Sequence, residues 1–98
     1  MTRITTQPGE ILREAFMFPL GLSATALARA LCVPANRITA IIASENPRAV
    51  TPDTALRPSR YFGTTPELWL NVQQAYDLSA AIVHRGPSID AVVHSSAA

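Results

Sequence analysis

The stretch SATALARALCVPANRITAII, residues 23–42, decides the fold because it holds two short apolar runs with very little chain between them. In the first run, Leu27, Ala28 and Leu31 recur at the spacing that puts them on one face of a helix. Ser23 precedes this run, and its hydroxyl can accept a hydrogen bond from an N–H group that the first helical turn leaves unpaired. The first run is therefore predicted to form a helix that begins at Ser23.

The second run predicts another helix, and Pro34 suits its first turn because the missing N–H costs nothing there. The predicted buried side carries Ile38, Ile41 and Ile42, and the other side carries Asn36, Arg37 and Thr39. Only Cys32 and Val33 lie between the runs, which is too little chain for antiparallel packing but enough for two helices that meet at a steep angle. Residues 23–42 thus predict a helix-turn-helix.

The composition bounds the size and the chemistry of the chain. Its 98 residues have room for one small domain, whose stability would gain from a partner subunit. Apolar residues make up 48% of it, more than a disordered chain carries. The formal net charge of +1 gives no global attraction to nucleic acid. All eight basic residues are arginine, which suits contacts to phosphate or guanine, although a GC-rich genome gives the same bias.

The cysteine count and the hydropathy pattern indicate where the protein works. Cys32 is the single cysteine, which excludes an internal disulfide and a cysteine-rich metal site and fits a reducing compartment. No stretch approaches the ~20 apolar residues of a membrane-spanning helix, and the N-terminus lacks the apolar core of a signal peptide. We therefore expect a cytoplasmic protein without membrane association.

Upstream of the motif, residues 1–7 are expected to form an arm, and Pro8 is expected to open a first helix. The predicted buried stripe of this helix consists of Ile11, Leu12, Ala15 and Phe16. Pro19 and Gly21 should end it. The two leucines that follow these breakers, Leu20 and Leu22, are expected to fill the core beside the next helix.

Downstream, a polar loop at residues 43–51 leads to a fourth helix with a strong start signal, since Thr51 is a good cap and a proline and an acid follow it. The residues predicted to face inward are Ala55, Leu56 and Phe62. Gly63 should end the helix. Pro58 falls inside it, where proline removes a backbone hydrogen bond and clashes with the preceding turn. We expect a kink over residues 54–57.

Thr65 and Pro66 repeat this start signal and open the longest predicted helix, which runs to about Ile82. Its apolar stripe comprises Leu68, Trp69, Val72, Ala75, Tyr76 and Ser79. The stripe is wide for the core of one domain, so we expect part of it to form a dimer interface, the alternative being that all of it is intramolecular core. The expected interface residues are Leu68, Trp69, Val72 and Tyr76.

Gly86 and Pro87 interrupt the helical pattern, and residues 83–98 are expected to be a tail. Two alternatives stay open for its short apolar run. It is either a frayed end or a strand or helical turn added to a neighbouring molecule.

Four blocks around the motif carry a resemblance to a known family. They are residues 8–12 (PGEIL), 19–23 (PLGLS), 51–57 (TPDTALR) and 60–71 (RYFGTTPELWLN). Together with the spacing in residues 23–42, they resemble the HigA (VapI-like) antitoxins, whose DNA-binding domain is of the lambda-repressor-like, Xre type. The resemblance implies an all-α fold, a five-helix lambda-repressor-like helix-turn-helix domain at residues 8–82, between the arm at 1–7 and the tail at 83–98.

The same resemblance implies a function. It predicts a homodimeric transcription regulator that binds an inverted-repeat operator in double-stranded DNA and regulates its own operon. It also predicts the antitoxin of a HigBA-type toxin-antitoxin module, of the kind linked to plasmid maintenance, which neutralises a partner RNase toxin. The resemblance allows the toxin to bind the arm and the first helix, where exposed side chains at Phe16, Met17 or Phe18 would fit.

In this fold, the outer face of the second motif helix reads bases while other groups hold phosphates. Asn36 would pair with adenine, Arg37 with guanine or a phosphate, and Thr39 with a thymine methyl group. The expected phosphate contacts come from Ser23 and Thr25, beside a helix N-terminus, and from Arg48 in the loop. Plainer roles stay open for Ser23 as a cap and for Arg37 and Arg48 as solvated surface residues.

Several positions depart from the family pattern. Cys32 stands where these motifs usually have a left-handed glycine, at a cost of about 1 kcal/mol. Ala24 replaces a common glutamine, and Glu45 occupies a loop position that is often basic. Ala24 and Glu45, together with Ala40 and the weak net charge, support an alternative: a protein–protein interaction module that keeps the fold but has lost DNA binding.

The sequence gives little support to a catalytic or a metal-binding role. His84 and His94 are ten residues apart, with no second cysteine or suitably spaced acid to complete a ligand set. Glu10 and Glu14 share a helical face, but they are better explained as helix-start charges than as an acid–base pair. We expect no enzymatic activity, no metal site and no cofactor.

Overall fold

Every regular element in residues 3–96, the range that the computed structural model describes, is a helix, and the helices number five. They are α1 (Pro8–Leu20), α2 (Ala24–Leu31), α3 (Ala35–Ile41), α4 (Pro52–Phe62) and α5 (Pro66–Val92). Helices α2 and α3 pack against each other across a short connection. The predicted helix-turn-helix and the all-α, five-helix fold are therefore confirmed.

Three helices begin at the caps that the sequence predicts. The hydroxyl of Ser23 accepts from the Ala26 N–H at 3.1 Å, that of Thr51 from the Thr54 N–H at 3.5 Å, and that of Thr65 from the Leu68 N–H at 3.3 Å. Pro34 instead lies just before α3, with an extended backbone, so it is the cap residue and not the first helical residue.

The turn between α2 and α3 closes on Cys32, which adopts the left-handed conformation at φ 59°. Its N–H donates to the Arg29 carbonyl at 3.3 Å, and the N–H of Val33 donates to the Ala28 carbonyl at 3.0 Å. This pair of bonds is the Schellman arrangement, which usually has glycine at the left-handed position. The strain expected of a cysteine there is thus present in the fold, at a cost of about 1 kcal/mol.

Helix α1 contains a wide π-helical segment, Leu12–Met17, between two short α-helical ends. Because bonds in such a segment join residues five apart, it brings Leu12 and Met17 to the same buried face, where they are 5% and 3% exposed. The prediction that Ala15 is buried is wrong for this reason. The helix also continues past Pro19 and ends at Gly21, and this leaves Leu20 exposed instead of in the core.

The core lies between the motif helices α2 and α3 and the helices α1, α4 and α5. Its buried apolar residues are Leu12, Met17, Leu27, Ala28, Leu31, Ile38, Ile41, Val50, Ala55 and Trp69. Trp69 is only 1% exposed. The centroid of its ring system lies 5.3 Å from that of the Phe16 ring, and its Nε1 donates to Thr64 Oγ1 at 2.9 Å.

Helix α4 contributes a different face to this core from the one predicted. Its buried residues are Thr54, Ala55, Pro58 and Ser59. Because Pro58 belongs to that face, Leu56 points to solvent, and the prediction that Leu56 faces inward is wrong. The helical assignment is continuous across Pro58, and the kink over residues 54–57 stays a prediction.

Helix α5 extends to Val92, so the prediction that it ends near Ile82 is wrong. Pro87 removes the N–H that would pair with the Val83 carbonyl. Both residues are exposed, so water can take the place of the missing donor, and the helix passes Gly86 and Pro87 without a break. Most of the predicted tail that the structure describes is consequently helical, and its side chains lie largely in solvent.

The arm, described from residue 3 onward, lies along α5. The N–H of Thr5 donates to Ser79 Oγ at 3.0 Å, and Gln7 Nε2 donates to Tyr76 Oη at 3.0 Å.

Within residues 3–96, no single helix is both long and apolar enough to cross a membrane. Two helices bent by 98° at their junction, Pro8–Leu20 and Ala24–Leu31, meet that requirement only when they are taken together.

Candidate nucleic-acid interface

The outward face of α3 carries the residues expected to read bases. Asn36 and Thr39 are exposed, whereas Ile38 and Ile41 on the opposite face are 1% and 2% exposed in the core. The Thr39 hydroxyl donates to the backbone carbonyl of Asn36 at 3.2 Å. Because that bond uses the hydroxyl hydrogen, Thr39 offers a ligand its methyl group and its oxygen lone pairs. The side-chain amide of Asn36 takes no part in the bond and keeps both its donor and its acceptor.

Arg37 lies between these two residues in the sequence, but its side chain is partly buried. Its Nη1 is 3.7 Å from Asp53 Oδ2, and only 27% of its side chain is exposed. Its Nε is enclosed and has no hydrogen-bond partner among the described residues. The guanidinium therefore lies against the start of α4 instead of extending from the surface.

The same carboxylate oxygen of Asp53 binds a second arginine more closely. Arg57 Nε donates to Asp53 Oδ2 at 3.0 Å, and Arg57 Nη1 donates to the carbonyls of Leu31 and Cys32 at 2.8 and 3.2 Å. Arg57 thereby satisfies carbonyls at the C-terminal end of α2, where a positive charge also favours the helix dipole. It links α4 to the turn of the motif.

The hydrogen bond from Arg57 lowers the pKa of Asp53 below its ordinary value of 3.8, against an opposing effect of desolvation. The positive charges of Arg57 and Arg37 lower this pKa further. Asp53 is therefore an anion at neutral pH, between two arginines from different helices.

Sequence reasoning did not identify Asp53 and Arg57 as part of this surface. Their separation of four residues on a predicted helix was a visible signal for an ion pair. Their approach to α3 and to the turn depends on how the loop at residues 42–51 returns the chain, which the sequence pattern does not encode.

The expected phosphate-binding residues are all accessible. Ser23 and Thr25 lie exposed at the N-terminus of α2, and the Ser23 hydroxyl, which accepts from Ala26, still has its own hydrogen to donate. Arg48 is exposed in the loop, and its backbone N–H donates to the Ala40 carbonyl at 2.9 Å, which ties this loop to the end of α3.

The four residues expected at a dimer interface differ in what they can offer a partner. Leu68 is exposed, and Val72 and Tyr76 are half-buried. Trp69 is enclosed within its own chain, so its assignment to the interface is wrong. Its indole belongs to the buried core cluster and packs against the ring of Phe16 from α1.

A longer exposed apolar stripe lies further along α5. It comprises Leu78, Ile82, Ile89 and Val92. These residues follow the a and d spacing of a heptad repeat, interrupted once by Arg85. Sequence reasoning missed this pattern because it took Gly86 and Pro87 as the end of the helix.

Over residues 3–96, no group of three His, Cys, Asp or Glu side chains is placed to hold a metal ion.

No protein-family model matches the chain, but individual proteins and solved structures are similar to it. It is 55% identical to virulence-associated protein I of Dichelobacter nodosus over 74 residues, and this alignment covers 76% of this chain and 67% of that protein. It is also similar to an addiction module antidote protein of a HigA family from Coxiella burnetii, with 47% identity, a TM-score of 0.82, and coverage of 92% of this chain and 96% of that one. The Pseudomonas aeruginosa antitoxin HigA, solved with the higBA promoter, is 36% identical with a TM-score of 0.88, covering 96% of this chain and 99% of that one.

Proposed function

The chain belongs to the HigA family of helix-turn-helix antitoxins, and from that premise we propose that it is a homodimer that binds an inverted repeat upstream of its own gene. In this role it regulates its own operon and neutralises an RNase toxin encoded beside it. Its relatives are transcription regulators and antitoxins, and like them it is not an enzyme. Because a regulator of its own operon acts on DNA inside the cell, we propose a cytoplasmic location.

The observation that carries the DNA-binding proposal is the geometry of α3. Two isoleucines fix one face of this helix in the core, and the opposite face offers Asn36 and Thr39 to solvent. An asparagine amide matches the donor and acceptor of adenine in the major groove, and a threonine methyl group matches that of thymine. Arg37 adds a contact to guanine or to a phosphate once it leaves Asp53.

The remaining site residues hold the DNA backbone. Ser23 and Thr25 lie at the N-terminus of α2, where free N–H groups and the helix dipole favour a phosphate. Arg48 lies in the loop that is tied to the far end of α3. Contacts of this kind fix the register of the recognition helix without reading sequence.

The dimer is proposed to form through the second half of α5. The stripe of Leu78, Ile82, Ile89 and Val92 would leave four large apolar side chains in water in a monomer, and its heptad spacing suits pairing with the same helix of a second copy. Leu68, Val72 and Tyr76 remain proposed as interface residues closer to the body. The two motifs of such a dimer would need to lie about 34 Å apart to reach successive major grooves.

The toxin-binding surface is proposed to lie on the arm and α1. Phe18 is exposed there and Phe16 is half-buried. Met17, which we also expected on this surface, is only 3% exposed because the π-helical segment turns it inward, so it is excluded. A small basic RNase encoded next to this gene would be the expected partner. Co-purification of the two proteins, lost on Phe18→Asp and retained on Leu56→Asp, tests this part of the proposal.

Regulation is tested by an electrophoretic shift of the duplex that lies upstream of the protein's own coding sequence, followed by footprinting. We expect a retarded complex at low salt and a footprint with two-fold symmetry. A protein that is folded by circular dichroism but does not shift this duplex at low salt would remove the regulator proposal.

Salt dependence separates this proposal from a protein-interaction module that has lost DNA binding. A regulator that neutralises several phosphates weakens steeply with salt, by a slope of about 0.9 per phosphate in a plot of log K against log salt concentration. A flat dependence supports the interaction module.

A further inference from the structure

The carboxylate of Asp53 forms ion pairs with two arginines that lie on different helices. Arg57 comes from the next turn of the same helix and also binds the carbonyls at the end of α2. Arg37 comes from α3 and reaches the same oxygen, Oδ2, at the longer distance of 3.7 Å. The carboxylate therefore has one close partner and one loosely held partner, and the loosely held one belongs to the predicted recognition helix.

Arg37 is incompletely satisfied in this position. A guanidinium has five N–H donors, and one of its nitrogens, Nε, is enclosed with no hydrogen-bond partner among residues 3–96. An enclosed donor without an acceptor carries a desolvation penalty. The attraction of Asp53 thus holds Arg37 in a place that its hydrogen bonding disfavours, and a better acceptor can draw it out.

We propose that Asp53 occupies the place of a DNA phosphate in the free protein, holding Arg37 against α4 until a phosphate or a guanine edge on the duplex takes the guanidinium over. This inference rests on the proposed DNA binding. In it, Asp53 is a positioning residue that touches no DNA and influences the affinity of binding.

The exchange is possible because Asp53 does not lose its last partner when Arg37 leaves. Arg57 Nε remains at 3.0 Å from the same oxygen, and Arg57 Nη1 donates to two backbone carbonyls that hold the side chain in place. The lowered pKa of Asp53 agrees with a carboxylate that stays ionised throughout. Only Arg37 has to move.

The move of Arg37 also affects the counterions of the DNA. An arginine that reaches a phosphate releases one condensed cation, which steepens the salt dependence. Asp53 takes up no cation in exchange, because Arg57 still neutralises it. A contact from Arg37 to a phosphate therefore adds about 0.9 to the slope, whereas a contact to a guanine edge adds affinity without changing the slope.

The first experiment is a double-mutant cycle of Asp53→Asn and Arg37→Gln, measured by fluorescence anisotropy on the upstream duplex. Asp53→Asn should tighten binding by about two- to fivefold, the range that exposed ion pairs span. In the Arg37→Gln background, the same change should have no more effect than Glu67→Gln. Glu67 is the matched control because it is an exposed acid in the first turn of α5, as Asp53 is in that of α4.

The sign of the effect separates the proposal from a purely structural role. If Asp53 only braces Arg57 and the turn, Asp53→Asn weakens binding, and that result overturns the proposal. An unchanged affinity, or a tightening that persists without Arg37, overturns it as well, since the latter is general charge repulsion. Failure of the wild type to bind the duplex is a failure of the proposed function and is recognised before any variant is made.

The second experiment does not depend on the folding of the Asp53 variant. The affinity and the salt slope of wild type and Arg37→Gln are compared between about 50 and 200 mM salt. We expect weaker binding by Arg37→Gln; a slope that falls by about 0.9 identifies a phosphate as the group that takes Arg37 over, and an unchanged slope identifies a guanine edge. An affinity equal to that of wild type would show that Arg37 does not reach the duplex, and would overturn the proposal.

Discussion

Gly9 lies close against the backbone at the end of α3, and its replacement by alanine should move the recognition helix. A Cβ built on Gly9 would lie 2.0 Å from the Ile41 carbonyl oxygen and 2.8 Å from its carbon. Carbon–oxygen contacts in proteins settle near 3.3 Å, so the two helices would have to separate by about 1.3 Å. Neither side can yield locally, because the atoms on both sides belong to backbone.

The magnitude follows from two opposing effects. Overpacking of this kind costs about 1–3 kcal/mol, and the upper end applies because the obstacle is backbone. Alanine in a helix recovers at most about 1 kcal/mol relative to glycine. The net loss of about 2 kcal/mol corresponds to a fall in Tm of roughly 8–16 °C for a domain of this size. The bond from Arg13 Nη1 to the Ile42 carbonyl, 3.2 Å long, crosses the same junction and should be lost with it.

The assay is thermal unfolding by circular dichroism, with Gly86→Ala as the matched control. A Cβ on Gly86 meets only the Ile82 side chain, at 3.8 Å. Its helix-forming gain is opposed by crowding against the following proline, so its stability should stay within about 1 kcal/mol of wild type. Gly9→Ala should also weaken DNA binding at temperatures where it is folded. If Gly9→Ala unfolds at the same temperature as Gly86→Ala, the close approach of α1 and α3 is refuted.

Four further predictions concern the turn, pH and the dimer. Arg57→Ala should cost about 1–2 kcal/mol in urea unfolding because it frees two carbonyls at the end of α2, whereas Arg60→Ala on the same helix should cost little; equal losses would contradict this. Cys32→Gly should raise Tm by a few degrees because it relieves a left-handed conformation worth about 1 kcal/mol, and a lower Tm would show that the strain is absent. Because the pKa of Asp53 is lowered on folding, its stabilising contribution is present above pH 3.8 and is lost as the pH falls through the lowered value, so the Tm difference between wild type and Asp53→Asn should shrink on acidification; a constant difference would argue against a charge effect. Ile82→Glu should shift sedimentation from dimer to monomer while Leu20→Glu leaves it unchanged, and a dimer that survives Ile82→Glu would move the interface elsewhere.

The parts of the fold that depend on local chemistry could be predicted from the sequence. Ser23, Thr51 and Thr65 begin helices as their hydroxyls and spacing indicate. The apolar spacing on both sides of Cys32 identifies the motif. Each of these signals acts within a few residues, so the pattern contains what is needed to read it.

The parts that depend on tertiary contact could not be predicted. Met17 is buried because the π-helical segment, and not the regular helical period, sets the face of α1. Helix α5 passes Pro87 because solvent replaces the missing donor there. Arg37 has the right position for a base contact, but the return of the chain to Asp53 decides where its guanidinium rests. The helical position of Arg37 could therefore be predicted, whereas its contact with Asp53 could not.

The central claim, that the outer face of α3 reads DNA, is tested most directly by the affinity of Asn36→Ala for the upstream duplex. Asn71→Ala is the matched control, since it removes the same exposed side chain from α5. A bidentate contact to adenine predicts a loss of about 1–3 kcal/mol for Asn36→Ala, at unchanged Tm and an unchanged salt slope, and no loss for Asn71→Ala. Equal affinities for the two variants would contradict the account.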